Sequence, residues 1–171
     1  LLMFLVTIGG IFVVSTLIGV LSSGIEGRID ELRKGRSFVV EENHTVILGW
    51  SDQVYTIISE LAMANESRSD ACIVVMGDKD KVEMEDALKE HVEDFKTTRV
   101  VCRQGSPVSP SDLVIVNLDD ARSIIVLSPE KENPDADVIK TMLAIVNNPA
   151  RKSEPYHIVA ELRDPKNVDV A

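Results

Sequence analysis

The chain has 171 residues and a formal net charge of -10 at pH 7, a length that fits one ordinary domain with an additional element. No charged residue precedes Glu26, so the acidic charge belongs to the rest of the chain. Nucleic acid is disfavoured as the main partner, because phosphate binding needs clustered lysine and arginine. The sequence opens on Leu1 rather than methionine, so we expect it to be a piece of a longer protein.

Residues 1–24 contain no charged side chain and are predicted to form a transmembrane helix. As a helix, this apolar stretch is about 33 Å long, enough to cross a hydrocarbon core of about 30 Å. A signal peptide is the alternative, but its basic start is missing. Gly9 and Gly10 are candidates for a gating hinge, although glycine is also common in membrane helices without such a role.

Residues 25–43 form a polar connector, expected to be helical in part. Four basic residues follow the apolar segment closely: Arg28, Arg33, Lys34 and Arg36. Positive charge beside a membrane helix marks the cytoplasmic side, so we expect the soluble part, residues 44–171, to lie in the cytoplasm.

In the soluble part, strand-like and helix-like segments alternate. Short apolar, β-branched runs predict parallel strands buried on both faces, at 44–50, 71–77, 98–105, 122–128 and 156–162. Between them, apolar residues at helical spacing predict helices at 52–64, 79–95, 109–121 and 133–148. Ser109 and Asn133 are predicted to cap the last two of these helices, each followed by a proline. The fold class is therefore α/β, a Rossmann-like doubly wound parallel sheet preceded by one transmembrane helix.

Ligands bind such sheets at the carboxyl ends of the strands, and the first strand here ends in an incomplete dinucleotide fingerprint. Gly49 makes the turn, but Ser51 and Val54 occupy the positions of the second and third glycines. Two interpretations of this stretch remain: a true dinucleotide site, or a strand–turn–helix unit that no longer binds a dinucleotide. In the second case Ser51 or Asp52 would cap the helix. The candidate ligand-binding residues at this edge are Gly49, Trp50, Ser51, Asp52, Asp78 and Arg103.

An acidic run follows the second predicted strand. Asp78, Asp80 and Glu83 offer the oxygen ligands that calcium prefers. The alternative is a solvated helix start, because acidic residues are favoured in a first helical turn in any case.

No catalytic set is visible. His44, His91 and His157 fall at the start of the first strand, on a helix and at the start of the fifth strand, away from the ligand edge. Cys72 and Cys102 lie inside apolar runs and are expected to be buried, reduced thiols. We therefore expect a protein that is not an enzyme.

Four stretches carry a family resemblance: "GRIDELRKGRS", "ENHTVILGWSD", "VCRQGSP" and "ARSIIVLS". With the helix in front of them, they resemble the CASTOR/POLLUX family of ion channels, and "AELRDPKN" resembles RCK domains (regulators of potassium conductance) and Trk-type regulatory domains more widely. The resemblance implies a tetrameric channel for potassium or calcium, whose cytosolic RCK domains form a gating ring. Residues 44–171 would be the N-terminal lobe of that domain.

The resemblance also implies a membrane location and a regulatory ligand. Plant members sit in the nuclear envelope and bacterial relatives in the cell membrane; we expect a bacterial member. Calcium and a nucleotide such as NAD are the candidate ligands, and the selectivity filter does not occur in this sequence.

Two alternatives remain. A regulatory subunit of a Trk-type potassium uptake system would resemble the soluble part but would normally lack a membrane helix. A membrane-tethered NAD-dependent oxidoreductase would need an intact glycine fingerprint and a catalytic base.

Overall fold

A computed structural model describes Met3 and residues 9–20, 35–148 and 151–168. The chain divides into two compact units, Leu1–Arg33 and Lys34–Ala171. In the first unit, residues 9–20 are helical (α1), and large apolar side chains such as Ile11 and Phe12 are exposed. Among the residues described, no helix is both long enough and apolar enough to span a membrane. The transmembrane helix predicted over 1–24 extends beyond the described residues and stays a prediction.

The second unit is built on a five-stranded sheet in the order β3-β2-β1-β4-β5, in which every neighbouring pair is parallel. This confirms the predicted Rossmann-like sheet. The strands are β1 (Thr45–Leu48), β2 (Cys72–Gly77), β3 (Arg99–Gln104), β4 (Ser123–Val126) and β5 (Ile158–Ala160).

The sheet is covered on both faces because alternate strand residues point to opposite sides. On one face, Ile47 and Val75 belong to a buried cluster with α2 (Gln53–Ala64) and α3 (Lys81–His91). On the other face, Val46 and Val74 belong to a second cluster with α4 (Pro110–Leu113) and α5 (Pro134–Val146). Burial of these apolar side chains is the main force that holds the helices to the sheet.

The helix predicted over 109–121 is mostly wrong. Only α4 is α-helical, and two 3₁₀ turns follow it, Val114–Val116 and Leu118–Asp120. Asn117 separates them with a left-handed backbone, at φ 51°. Its side-chain amide donates to the Glu41 carbonyl and to the Asp120 carboxylate, at 3.1 and 2.9 Å. These bonds favour the left-handed conformation that asparagine tolerates, and so they end the helix.

The predicted side-chain caps are also absent. Ser109 and Asn133 stand at the N-cap positions of α4 and α5, each with a proline after it, but neither side chain bonds the helix backbone. The Ser109 hydroxyl pairs with that of Ser111 instead, at 2.9 Å. The position of each helix start was therefore predicted correctly, and its hydrogen bonding was not.

Candidate functional site

A cavity of about 330 Å³ opens at the carboxyl edge of the sheet. It lies between β1 and β4, where the strand order reverses, and this switch point is where open α/β sheets bind ligands. Its size falls within the range of small-molecule sites, about 300–1,000 Å³. Loops after four strands and one face of α5 line it: Leu48, Gly49, Trp50, Asp78, Lys79, Ser106, Pro107, Val108, Leu127, Pro129, Glu130, Lys131, Asp137 and Thr141.

Gly49 shapes the floor of this cavity. Its φ is +101°, and a Cβ at this position would lie 3.0 Å from the carbonyl oxygen of Leu127. The Gly49 amide donates to the Met76 carbonyl, and the Leu127 amide donates to the Leu48 carbonyl, both at 2.8 Å. The turn is therefore fixed between β2 and β4, and only glycine fits it without strain.

Trp50 forms an aromatic wall. The Lys79 ammonium lies 5.3 Å from the centroid of its ring, within range of a cation–π contact. Tyr55 meets the same ring edge-on, with the centroids 5.9 Å apart. The cavity thus combines an aromatic face with nearby positive charge, while Asp78, Glu130 and Asp137 add acidic side chains around it.

Ser51 and Asp52 do not cap α2, contrary to prediction. Asp52 already has helical angles, φ -61° and ψ -20°, whereas a capping residue needs a non-helical backbone. Ser51 is 5% exposed, and its buried hydroxyl has no hydrogen-bond partner within the described part of the chain. The backbone amide of Asp52 instead faces a Glu130 carboxylate oxygen at 3.5 Å. Neither side chain lines the cavity.

Val54 occupies the position of the third fingerprint glycine. It is 0% exposed and packs with Ile47, Ile58 and Val75 in the core beneath α2. A dinucleotide binder has glycine at this position so that the helix and the strand can pack closely. Here a buried valine side chain lies between them instead.

The predicted calcium ligands separate into different roles. Asp78 lines the cavity, whereas the Asp80 carboxylate caps α3 by accepting from the amides of Val82 and Glu83, at 2.8 and 3.3 Å. Over the described ranges, no three histidine, cysteine, aspartate or glutamate side chains are grouped so that they could hold a metal ion. A calcium site on Asp78, Asp80 and Glu83 stays a prediction without geometric support.

Arg103 does not line the cavity. Its guanidinium donates to the carbonyls of Ser37 and Cys102, at 2.7 and 2.9 Å, and burial lowers its pKa. Cys102 is fully buried, and burial raises the pKa of its thiol to about 12. The prediction of buried thiols is confirmed for Cys102 and for Cys72.

Sequence reasoning missed several lining residues: Lys79, Pro107, Val108, Lys131 and Thr141. All but Thr141 lie in loops that the strand pattern already placed at the carboxyl edge. The residue types alone could not show which of them face the switch point. Sequence reasoning also missed Glu161, whose carboxylate accepts from the Ser128 amide and from the Gln53 side chain, both at 2.9 Å.

Asp135 holds the loop after β5 against α5. It is buried and accepts from the backbone amides of Arg163 and Asp164 at 2.9 Å and from the Asn167 side chain at 2.8 Å. These bonds, with the one from Arg163 the strongest cause, hold the pKa of Asp135 below its ordinary value.

We expect the contribution of Asp135 to stability to depend on pH. A carboxylate with a depressed pKa stabilises the folded state in full above its unfolded pKa of about 4. This stabilisation is lost as the pH falls through the lower pKa of the folded state. Asp135→Asn should therefore speed amide exchange in residues 158–168 at pH 7. Its difference from wild type should shrink below a pH of about 4. An undiminished difference in acid would contradict this assignment.

The sequence matches, over residues 40–155, the family described as the calcium-activated potassium channel slowpoke-like RCK domain. The ion channel CASTOR of Lotus japonicus is 40% identical over 95% of this chain and 19% of its own length. The probable ion channel POLLUX of Arabidopsis thaliana is 36% identical over 95% of this chain and 20% of its own length. The chain thus spans about a fifth of these relatives, which are named ion channels rather than enzymes.

Solved structures support the fold. The crystal structure of the GsuK RCK domain aligns with a TM-score of 0.55 and 22% identity, over 81% of this chain and 25% of that one. A structure described as the GsuK channel bound to NAD aligns with a TM-score of 0.56 and 23% identity, over 88% of this chain and 23% of that one. The chain therefore belongs to the slowpoke-like RCK domain family, and its resemblance to the CASTOR and POLLUX ion channels is confirmed.

Proposed function

We propose that this chain is the part of a cation channel that joins an inner membrane helix to a cytosolic RCK domain, and that a ligand in the switch-point cavity controls the pore. The observation that carries the proposal is the cavity itself, lined by loops from four strands of a regulatory-domain fold. Four copies would form a ring on the cytoplasmic side of a membrane, bacterial in our expectation.

Control of the pore requires that the ligand bind the open and closed rings with different affinity. The cavity lies where such a difference can arise, because separate loops after β1, β2, β3 and β4 all border it. A ligand that draws these loops together favours one arrangement of the domain. The connector, residues 25–43, then transmits that change to the membrane helix.

A nucleotide is the ligand class that the cavity supports best. Trp50 offers a face for a base to stack on, and two lysines of the lining offer charge for phosphate. Lys79 lies beside the Trp50 ring, whereas Lys131 pairs with Asp137 at 3.6 Å and would have to exchange that carboxylate for the phosphate. The GsuK structure described as bound to NAD has the same fold. Binding here would rest on these side chains rather than on a glycine loop, because Ser51 and Val54 fill the glycine positions.

Calorimetry of the purified full-length channel with NAD, and separately with calcium, tests the ligand. We expect NAD to bind with micromolar affinity and Trp50→Ala to weaken it about tenfold, since base stacking contributes about 1–3 kcal/mol. Thr56→Ala, an exposed change in α2, the helix that follows Trp50, is the control and should bind as wild type does. Absence of NAD binding, or equal binding by Trp50→Ala, would overturn the nucleotide assignment.

The hinge at Gly9 and Gly10 is a second element of the proposal. Both residues are helical, and a Cβ added at either meets nothing within 4 Å among the described atoms. Alanine therefore fits at both positions, and it stabilises a helix by about 1 kcal/mol per residue relative to glycine. We expect Gly9→Ala with Gly10→Ala to shift the open probability in current recordings from the full channel; unchanged gating would eliminate the hinge.

A further inference from the structure

The described part of the connector, residues 35–43, is docked along β3 and the segment that follows it. Val39 is 2% exposed within the core, and its amide donates to the Ile115 carbonyl at 2.8 Å. Further bonds run along its length: Gln104 amide to Gly35 carbonyl, Arg103 guanidinium to Ser37 carbonyl, Asn117 side chain to Glu41 carbonyl, and Asn43 amide to Asp120 carbonyl. Movement of this docking surface must therefore move the connector.

Asp112 joins the connector to the cavity. One carboxylate oxygen accepts from the Arg36 guanidinium of the connector at 2.7 Å. The other accepts from the backbone amide of Ser106 at 2.9 Å. Ser106 and the two residues after it line the cavity. A single carboxylate thus holds the cavity loop with one oxygen and the connector with the other.

The position of Asp112 is closely constrained. A Cβ at Gly105 would lie 3.2 Å from the Asp112 Cβ and 3.1 Å from the Met76 methyl group, so the chain has no spare room there. The Gly105 amide also donates to the Gly77 carbonyl at 3.0 Å. The Asp112 side chain is only 15% exposed, whereas its partner Arg36 is 56% exposed, so solvent reaches the ion pair from the Arg36 side.

The other contacts of the connector end on residues that do not line the cavity. Arg99 of β3 forms an ion pair with Glu41, for example, at the opposite end of the same strand from Gln104. This second pair fixes the connector without touching the loop at 106–108. It provides a matched comparison for the Arg36–Asp112 pair.

We propose that Asp112 is the positioning residue that couples the cavity to the connector: a ligand that displaces the loop at 106–108 shifts Asp112 and, through Arg36, the start of the docked connector. The proposal rests on the proposed function of the cavity, but its geometry can be tested without a ligand. It assigns Asp112 no contact with the ligand itself.

Amide exchange in the full-length channel without ligand is the first test. Arg36→Gln should speed exchange in the peptide 104–109 about threefold, by releasing the carboxylate that holds the Ser106 amide. Arg99→Gln, which breaks the other connector pair, should leave that peptide unchanged. If both variants speed its exchange equally, or if neither does, the coupling through Asp112 is excluded.

Current recordings with NAD are the second test. Asp112→Asn keeps the side-chain shape but cannot accept from both partners in the same way, so it should lose at least half of the NAD-induced change in open probability. Its affinity for NAD should stay within about threefold of wild type. A full response in Asp112→Asn overturns the proposal. If wild type itself ignores NAD, the nucleotide assignment fails, and the exchange result alone decides the coupling.

Discussion

Replacement of Gly49 by alanine should lower the free energy of unfolding of the sheet by about 3 kcal/mol. The cause is local: the backbone there has a φ of +101°, and the added methyl group would lie 3.0 Å from the Leu127 carbonyl oxygen. This carbonyl belongs to the backbone just after β4, where the Leu127 amide bonds the Leu48 carbonyl, so it cannot yield as a flexible side chain would. Exchange of the Ile47 and Val75 amides in the full-length channel reports this loss as more than a hundredfold acceleration.

Gly77→Ala is the control for this change. Gly77 lies at the end of β2 without a positive φ, and its added Cβ would meet the Met84 sulfur and the Trp50 Cβ at 3.3 Å. The Met84 sulfur lies in a flexible side chain and can move by a few tenths of an ångström, and the Trp50 Cβ needs only a small shift of its loop, so the cost should stay below about 1 kcal/mol. Equal effects of the two substitutions would show that the turn at Gly49 does not require glycine.

Val54→Gly, which restores a residue of the dinucleotide fingerprint, should also destabilise the domain by about 3 kcal/mol. Val54 is 0% exposed, so its removal leaves a cavity under α2, and glycine adds a helix cost of about 1 kcal/mol. Thr56→Gly, at an exposed position of the same helix, should show only the helix cost.

Amide exchange at Ile47 separates these two costs in the same protein. The expected order is wild type slowest, then Thr56→Gly, with Val54→Gly fastest by a further factor of about thirty. If Val54→Gly exchanges no faster than Thr56→Gly, the Val54 side chain does not stabilise the core. The valine at the third fingerprint position would then have no packing role.

The strands were predictable because burial on both faces requires continuous apolar runs, and all five runs became strands. Their ends were less predictable. The fifth strand was expected over 156–162, yet only Ile158–Ala160 pairs, since β5 lies at the edge and has β4 alone as a neighbour. Similarly, α3 ends at His91 because Val92 turns extended, although Val92 still packs in the core.

The cavity was predicted in position but not in composition. Strand order places the switch point, and Gly49, Trp50 and Asp78 were expected there and line it. Arg103 was expected there too, but its guanidinium donates a hydrogen bond to the Ser37 carbonyl of the connector instead. The docking of the connector had one sequence signal, the short apolar run "FVV" at 38–40. A run of three residues cannot specify which surface it meets.

If an occupant of the switch-point cavity controls the pore, channel currents must respond to it. Currents can be recorded in inside-out patches from the full-length channel, with NAD applied to the cytosolic face. We expect NAD to change the open probability of wild type and of Thr56→Ala alike, and Trp50→Ala to need about tenfold more NAD for half of the effect. Currents that ignore NAD in wild type, or a Trp50→Ala response equal to that of wild type, would contradict this expectation.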